Sequence, residues 1–282
     1  MLTREQLEMR RHFVGASEVA CILGISPHGN IHSVWAEKMG LKVDAPTVEQ
    51  ESGHYLEAAL ANWYAAETGY RFAHFGTVVH PRHPFMGCTP DLCVYGQRRI
   101  GQIKNVGMWM AHHWDDDVPQ YVEAQVQAEM EVCDVDVCDV VALIGGTDFR
   151  ILPIERDREI GGYIVEVCRE FVEKYVRPRE IPPVDESGHA ERALKALYAR
   201  DRSGMIKPTP EIDQLAKAWL SADKALGDAE KARTGLANQL KAILGDSEGV
   251  EGDSYRVKWK TNKAGARVFT VKSIAMRKAS AA

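Results

Sequence analysis

The stretch HPFMGCTPDLCVYGQRRIGQIKNVG, residues 83–107, constrains the fold more than any other part of the chain. Apolar and β-branched residues on both sides of the turn at Gly96 predict strands joined by a hairpin, within a β-rich section that includes 71–80, 92–95 and 100–105. Helical patterns precede and follow this section. The order of elements therefore predicts an α/β fold with a central mixed sheet flanked by helices.

Apolar residues at helical or alternating spacing predict the surrounding elements. In GASEVACILG, Ser17 resembles a helix N-cap and Gly24 a helix stop, and Pro119 lies near the first turn of a later helix. The predicted helices cover 3–12, 15–24, 31–40, 48–69, 119–132 and 158–176, and two paired strands cover 135–146 and 149–157.

The composition changes after residues 177–189, which are rich in proline and charge. We therefore divide the chain into a domain at 1–204 and an extension at 205–282. The extension is predicted to form a heptad-like helix over 210–245 and a β-hairpin over 254–272. From Tyr255 to the end there are eight Lys or Arg and no Asp or Glu, which is typical either of a solubilising terminus or of an element that contacts phosphates.

Composition excludes several classes of protein. No apolar run approaches the ~18 residues that span a bilayer, and the first residues lack the apolar stretch of a secretory signal. The six cysteines show neither C-x-x-C pairs nor zinc-ribbon spacing, so we expect free thiols in a reducing cytoplasm. The net charge of −5 does not by itself indicate a nucleic-acid partner. A membrane partner is not expected.

The hairpin carries a candidate metal site. Hydrolysis of a phosphodiester by a divalent metal needs carboxylates on the ion and a cation near the developing charge. Residues two apart on a strand share a face, so Gln102 and Lys104 are predicted to face the Asp91 that begins the preceding strand. Ile103 can add its backbone carbonyl. The alternative is an ordinary surface hairpin, since this short pattern is common.

Other polar residues strengthen the metal-site interpretation. Glu57 lies on an apolar helix, where a carboxylate is costly unless it has a partner. Gln125 and Gln127 lie beside an apolar stripe and can hydrogen-bond bases, phosphates or water. An anion site is also predicted at a helix start by Arg10, Arg11 and Ser17.

Five motifs in order, GASEVACILG, GHYLEAAL, CTPDLCV, GQIK and YVEAQVQAEM, resemble the phage-type exonuclease family of lambda exonuclease and the YqaJ-like viral recombinases. The resemblance covers about residues 8–175. It implies a restriction-endonuclease-like PD-(D/E)XK core that digests one strand of linear duplex DNA from a 5′ end with Mg²⁺ or Mn²⁺. It also implies a homotrimeric ring and a phage single-strand annealing protein as partner, in a bacterial host or encoded by a prophage.

The resemblance also implies roles for single residues. Asp91 and position 102 match the metal-binding Asp and Glu, with the Ile103 carbonyl between them and the catalytic Lys at Lys104. The remaining matches are the helix glutamate that assists the metal, Glu57, and the pocket for the 5′-phosphate, formed by Ser17, Thr89 and one of Arg10 or Arg11, with Gln127 near it. Gln125 is a weaker DNA-binding candidate.

The chain departs from the family at Gln102, where the family carries Glu. An amide oxygen can bind Mg²⁺ but brings no charge, so we expect an impaired exonuclease, either a deliberate Glu-to-Gln variant or a natural one. Two alternatives stay open: a non-catalytic protein of the same fold that binds DNA ends, and a structure-selective endonuclease. An exonuclease spares closed circular DNA and an endonuclease does not.

Overall fold

The computed structural model describes residues 10–41, 48–115, 117–201 and 203–274. The contacts between its elements divide the chain into two compact units, Met1–Asp201 and Arg202–Ala282. The boundary that we place between residues 204 and 205 lies close to this division.

The first unit alternates helices and strands in the predicted manner. Its helices are α1 Val19–Ile22, α2 Ile31–Lys38, α3 Val48–Thr68, α4 Gln120–Cys133, α5 Arg158–Phe171 and α6 Gly188–Leu197. Its strands are β1 Val14–Gly15, β2 Phe72–Ala73, β3 Val78–Val79, β4 Met86–Cys88, β5 Leu92–Val94, β6 Arg99–Val106, β7 Val137–Ile144 and β8 Asp148–Glu155. Short 3-10 helices cover Arg10–His12, Ala16–Glu18 and Met108–Trp114, and a π-helical turn, Val172–Val176, follows α5.

The central sheet has the strand order β2-β5-β6-β7-β8. β5 and β6 form the predicted antiparallel hairpin, whereas β6 and β7 run parallel, with Gln102 beside Val140 and Lys104 beside Ala142. A parallel pair needs a crossover connection, which α4 supplies. The sheet is therefore mixed, as the sequence predicts.

A second, small sheet has the order β1-β4-β3. It pairs Val14 with Met86 and Gly15 with Gly87, which carries the Ala16–Glu18 turn close to the β5–β6 hairpin. A Cβ at position 87 would lie 2.7 Å from the ring of Phe13 and 2.9 Å from the Val78 carbonyl oxygen, so only glycine fits there. The sequence pattern did not predict strands β1 and β4, because elements of two or three residues show no periodicity.

The turn at Ala16–Glu18 differs from its prediction. Gly15 precedes the turn as its cap, and its backbone N–H donates to the Glu18 carboxylate at 2.6 Å, so Ser17 lies inside the turn and is not its cap. The buried ion pair between Glu18 and Lys38, at 2.6 Å, fixes that carboxylate. Of the helix predicted over 3–12, residues 3–9 lie outside the described residues, and Arg10–His12 is a 3-10 helix.

Helix α4 is buried on two sides. Ala128 and Val132 join a core shared with α1, α2 and α5. Val126 and Met130 join the core formed with β6 and β7. Polar side chains on this helix are consequently enclosed by protein, and each needs a partner or a function.

The second unit contains one long helix and a small sheet among its described residues. Helix α7, Pro210–Leu244, begins after Thr209, whose hydroxyl accepts from the Ile212 N–H. Strands β9 Gly249–Glu251, β10 Tyr255–Thr261 and β11 Arg267–Ser273 then form an antiparallel sheet in the order β11-β10-β9. The helix and the hairpin predicted for the extension are confirmed.

Within the described residues, no helix combines the length and the apolar character that a membrane span requires.

Candidate active site

A cavity of about 440 Å³ lies where the β5–β6 hairpin, α3, α4 and the Ala16–Glu18 turn meet. Residues from all four segments line it, so the fold brings together positions that are far apart in sequence. The predicted site residues in its lining are Ser17, Glu57, Thr89, Asp91, Gln102 and Gln125.

Asp91 is held against the second strand of the hairpin. Its Oδ2 accepts two hydrogen bonds, from Gln102 Nε2 at 2.6 Å and from the Ile103 backbone N–H at 2.7 Å. The His74 ring lies 2.7 Å from the Asp91 carbonyl oxygen. The side chains at 91 and 102 therefore meet, as the spacing predicts.

Lys104 reaches the same region through an amide. Its Nζ donates to Gln125 Oε1 at 2.8 Å, and Gln125 Nε2 donates to Glu129 Oε1 at 2.8 Å. Lys104 itself lines an adjacent cavity of about 700 Å³, and Ser17 and Gln125 line both cavities. Gln125 thus connects the lysine to a carboxylate that borders the Asp91 cavity.

Glu129 is the site residue that the sequence pattern missed. It is 2% exposed and lines the smaller cavity. Its Oε2 has no hydrogen-bond partner in the described part of the chain. Burial, followed by the nearby charge of Asp91, raises the pKa of Glu129 to about 8. The sequence feature that could have identified Glu129 is its position one helical turn after Gln125, within the run of apolar residues on α4.

Asp91 is also perturbed. Its pKa is raised to about 6, chiefly by burial. The Ile103 N–H and the Lys104 ammonium lower this pKa, and the Glu57 carboxylate acts with burial to raise it. Glu57 is partly exposed and lies 3.9 Å from the His54 ring nitrogen. Three carboxylates, those of Asp91, Glu57 and Glu129, therefore border one cavity.

The predicted 5′-phosphate residues are only partly brought together. Ser17 and Thr89 both line the smaller cavity, and the hydroxyl of Thr89 lies 3.1 Å from that of Thr77. Arg11 is not among the residues that line this cavity. Its guanidinium lies against Gly40, with the guanidinium carbon 3.6 Å from the position that a Cβ at residue 40 would occupy. The side chain of Arg10 lies outside the described part of the structure.

Gln127 does not lie near these residues, in contrast to its predicted place. Its Nε2 donates to the Glu155 carbonyl at 2.8 Å, and its Oε1 accepts from the Asp157 N–H at 2.9 Å. Each residue turns a helix by about 100°, so Gln127 faces almost opposite to Gln125. Its buried amide joins α4 to the end of β8 and the start of α5.

The comparisons with known proteins agree with the resemblance found in the sequence. Residues 5–136 match the YqaJ-like viral recombinase domain. This match confirms the predicted resemblance to the YqaJ-like viral recombinases. The protein YqaJ of Bacillus subtilis (strain 168), described as uncharacterized, is 26% identical over 266 residues, which cover 91% of this chain and 82% of that protein.

Two solved structures resemble the fold of this chain. LHK-Exo in complex with dAMP has a TM-score of 0.54 and 22% identity, covering 70% of this chain and 98% of its own. The alkaline exonuclease LHK-Exo from Laribacter hongkongensis has a TM-score of 0.52 and 22% identity, covering 61% and 92%. The predicted α/β fold, with a central mixed sheet flanked by helices, is confirmed.

The oxygen atoms of the residues around the cavity are of the type that a hard divalent cation prefers. Over the described ranges, no group of three or more His, Cys, Asp or Glu side chains is arranged to hold a metal. Two residues that line the cavity nevertheless each have a buried oxygen, Gln102 Oε1 and Glu129 Oε2, with no hydrogen-bond donor among the described residues. Buried acceptors without donors are rare, and a cation satisfies them. The residues of the cavity therefore offer carboxylate and amide oxygens.

Proposed function

We propose that the chain is a metal-dependent exonuclease that degrades one strand of linear double-stranded DNA, from 5′ to 3′, in phage-type homologous recombination. The observation that carries the proposal is the contact of Asp91 with Gln102 and Ile103 across the hairpin, beside Lys104, in a cavity with polar walls. The YqaJ-like match and the fold shared with LHK-Exo support a nuclease role.

Each residue of the hairpin has a role in this proposal. Asp91, the Gln102 amide oxygen and the Ile103 carbonyl would hold Mg²⁺, or Mn²⁺ in its place. The ion, when bound, neutralises charge on the scissile phosphate and activates the attacking water. Lys104, oriented by Gln125, lies on the same strand face and places a positive charge beside the phosphate. Glu57 adds negative charge to the rim of the cavity.

The Ser17 and Thr89 hydroxyls, which border the same cavity, would bind the 5′-phosphate. One of Arg10 or Arg11 would add a positive charge. Gln127 has no part in this pocket, because both ends of its amide bond to the backbone. Holding the terminal phosphate beside the hairpin would place the first phosphodiester bond near Asp91.

The assembly and the partners rest on the family resemblance. We propose a homotrimeric ring around the DNA, a phage single-strand annealing protein as partner, and action in the cytoplasm of a bacterial host. Size-exclusion chromatography with light scattering tests the trimer. A monomer that digests DNA processively would contradict it.

The test of the activity is a gel of end-labelled linear duplex DNA. We expect metal-dependent loss of one strand, faster for a 5′-phosphorylated end than for a 5′-hydroxyl end, and no cleavage of closed circles. Asp91→Asn should reduce digestion by about 10³-fold or more, since residues that act as a unit fail together. An Asp91→Asn protein that still degraded duplex ends would exclude this site.

A non-catalytic protein that binds DNA ends is the second candidate. The observation that favours it is that, for the residues described, no three metal-ligating side chains are already clustered. It predicts salt-sensitive binding of DNA ends and no product with Mg²⁺ or Mn²⁺, even after Gln102→Glu. The same gel separates the two candidates.

The consequence of Gln102 depends on what else surrounds the cation. With one carboxylate on the hairpin, the neutral amide is expected to impair turnover, and Gln102→Glu is expected to restore it. The surroundings of Gln102 favour a different outcome, because a second buried carboxylate borders the same cavity.

A further inference from the structure

Glu129 is enclosed without a direct ion pair among the described residues, since Lys104 reaches it only through Gln125. Its side chain is 2% exposed, and the hydrogen bond that it accepts comes from the neutral amide of Gln125, at 2.8 Å. Its second oxygen, Oε2, is buried with no donor among the residues described. A buried carboxylate is costly unless it is paired or coordinates a metal. A cation in the cavity that Glu129 lines would supply the missing partner.

Gln102 has the complementary property. Its Nε2 donates to Asp91 Oδ2 at 2.6 Å, and its Oε1 is buried without a donor in the described part of the protein. A carboxylate at this position would place an oxygen, in place of the amide nitrogen, 2.6 Å from the Asp91 oxygen. The amide thus stabilises Asp91 when no cation is bound and still offers a neutral oxygen ligand.

We propose that Glu129 supplies the second carboxylate of the metal site, in place of a carboxylate at position 102, so that the chain is an active nuclease with Gln102 in place. The inference rests on the proposed function and names a further ligand of the same site. The charge is supplied from helix α4 and not from strand β6. Asp91 and Glu129 then provide two negative ligands, with Gln102 as a neutral one.

Gln125 becomes a positioning residue in this arrangement. It accepts a hydrogen bond from Lys104 and donates one to Glu129, both at 2.8 Å. One amide therefore orients both the Lys104 ammonium and the Glu129 carboxylate. The hydrogen bond occupies Oε1 of Glu129 and leaves Oε2 for the ion. Lys104 and the metal ligands are therefore held by one continuous network.

The test measures binding of Mn²⁺ alone to the full chain, by electron paramagnetic resonance without DNA. Glu129→Gln should weaken binding by about tenfold or more, because ligand charge sets the affinity of such sites. Glu123→Gln is the matched control, with the same change on the same helix at a residue outside both cavities, and should bind as the unaltered chain does. The double variant Gln102→Glu, Glu129→Gln moves the carboxylate to the strand and should recover most of the lost affinity.

Either of two Mn²⁺-binding results overturns the inference: no binding by the unaltered chain, or equal binding by the folded Glu129→Gln protein. If Glu129→Gln does not fold, Gln102→Glu alone decides. Its digestion rate should stay within about tenfold of that of the unaltered chain, and a gain of orders of magnitude overturns the inference. A chain that binds Mn²⁺ through Glu129 yet never degrades DNA refutes the proposed function and leaves the metal ligand standing.

Discussion

Helix α4 carries two buried glutamates in opposite electrostatic settings. Glu131 accepts from Arg156 at 2.5 Å, lies 3.6 Å from the Arg82 guanidinium and lies 3.5 Å from the His80 ring. Burial alone would raise its pKa, but Arg156 and His80 together lower it. Glu129 receives one hydrogen bond from an amide and has its pKa raised to about 8.

The geometry of a helix explains this difference. Residues two apart on a helix face almost opposite directions, so Glu131 points toward the strand end and α5 while Glu129 points toward the cavity. A Cβ on Gly161 would lie 3.0 Å from Glu131 Oε2, so a glycine on α5 makes room for that ion pair. Glu131, which we regard as structural, therefore has direct ion pairs, whereas Glu129, where we infer a metal ligand, has none among the described residues.

The largest effect is expected from a substitution of Glu131, the glutamate that we regard as structural. Glu131→Gln removes the buried partner of the Arg156 guanidinium, which is 4% exposed. Because Arg156 keeps its ion pair with Asp134 at 2.7 Å, the free energy of unfolding should fall by about 3 kcal/mol, the lower end of the cost of breaking a buried ion pair. Glu129→Gln, measured in EDTA, should lower it far less, because no buried cation loses a partner. Urea denaturation of both variants checks this. Equal losses for the two would show that Glu129 is structural as well.

The second effect is a pH dependence in EDTA. The pKa of Glu129 is raised from 4.5 to about 8, so between these values the folded chain retains a proton that the unfolded chain has lost. Stability contributed by Glu129 is therefore fully present below pH 4.5 and is lost as the pH rises through about 8. Glu129→Gln should flatten this decline in stability. A smaller decline should remain at lower pH, because the pKa of Asp91 is raised to about 6.

Urea midpoints between pH 4 and pH 9 measure this difference, with Glu123→Gln as the control that should follow the unaltered chain. Parallel curves for the unaltered and Glu129→Gln proteins would mean that the carboxylate is not perturbed by burial.

The fold and the hairpin site were largely predictable from the sequence, because both depend on residue patterns that repeat every two to four residues. Alternation places positions 102 and 104 on one face, and the contact of Asp91 with the second strand follows from the hairpin. The paired strands and the helices predicted over 31–40, 48–69, 119–132 and 158–176 are present. Strands as short as Val14–Gly15 were not predictable, since they exist only through their pairing with Met86 and Gly87.

The helical half of the site was less predictable, because α4 is enclosed on two sides. Its sequence shows Gln125, Gln127, Glu129 and Glu131 within apolar residues, and the pattern alone does not say which polar side chain meets which neighbour. Gln127 was placed near the phosphate pocket but bonds to the backbone of Glu155 and Asp157. The partners that distinguish Glu129 from Glu131 lie on other segments, and only the tertiary fold supplies them.

The smallest effect is expected from Gln102→Glu, which tests how the amide at position 102 holds Asp91. Gln102→Glu in EDTA loses the bond at 2.6 Å to Asp91 and adds a like charge, and should lower the free energy of unfolding by about 1–3 kcal/mol. Mg²⁺ should restore the loss, because a cation between the two carboxylates replaces the amide hydrogen. Thermal unfolding with and without Mg²⁺ measures both terms. A Gln102→Glu protein that is as stable in EDTA as the unaltered chain would show that Asp91 has room to turn away, and that the amide is not what holds it beside Glu129.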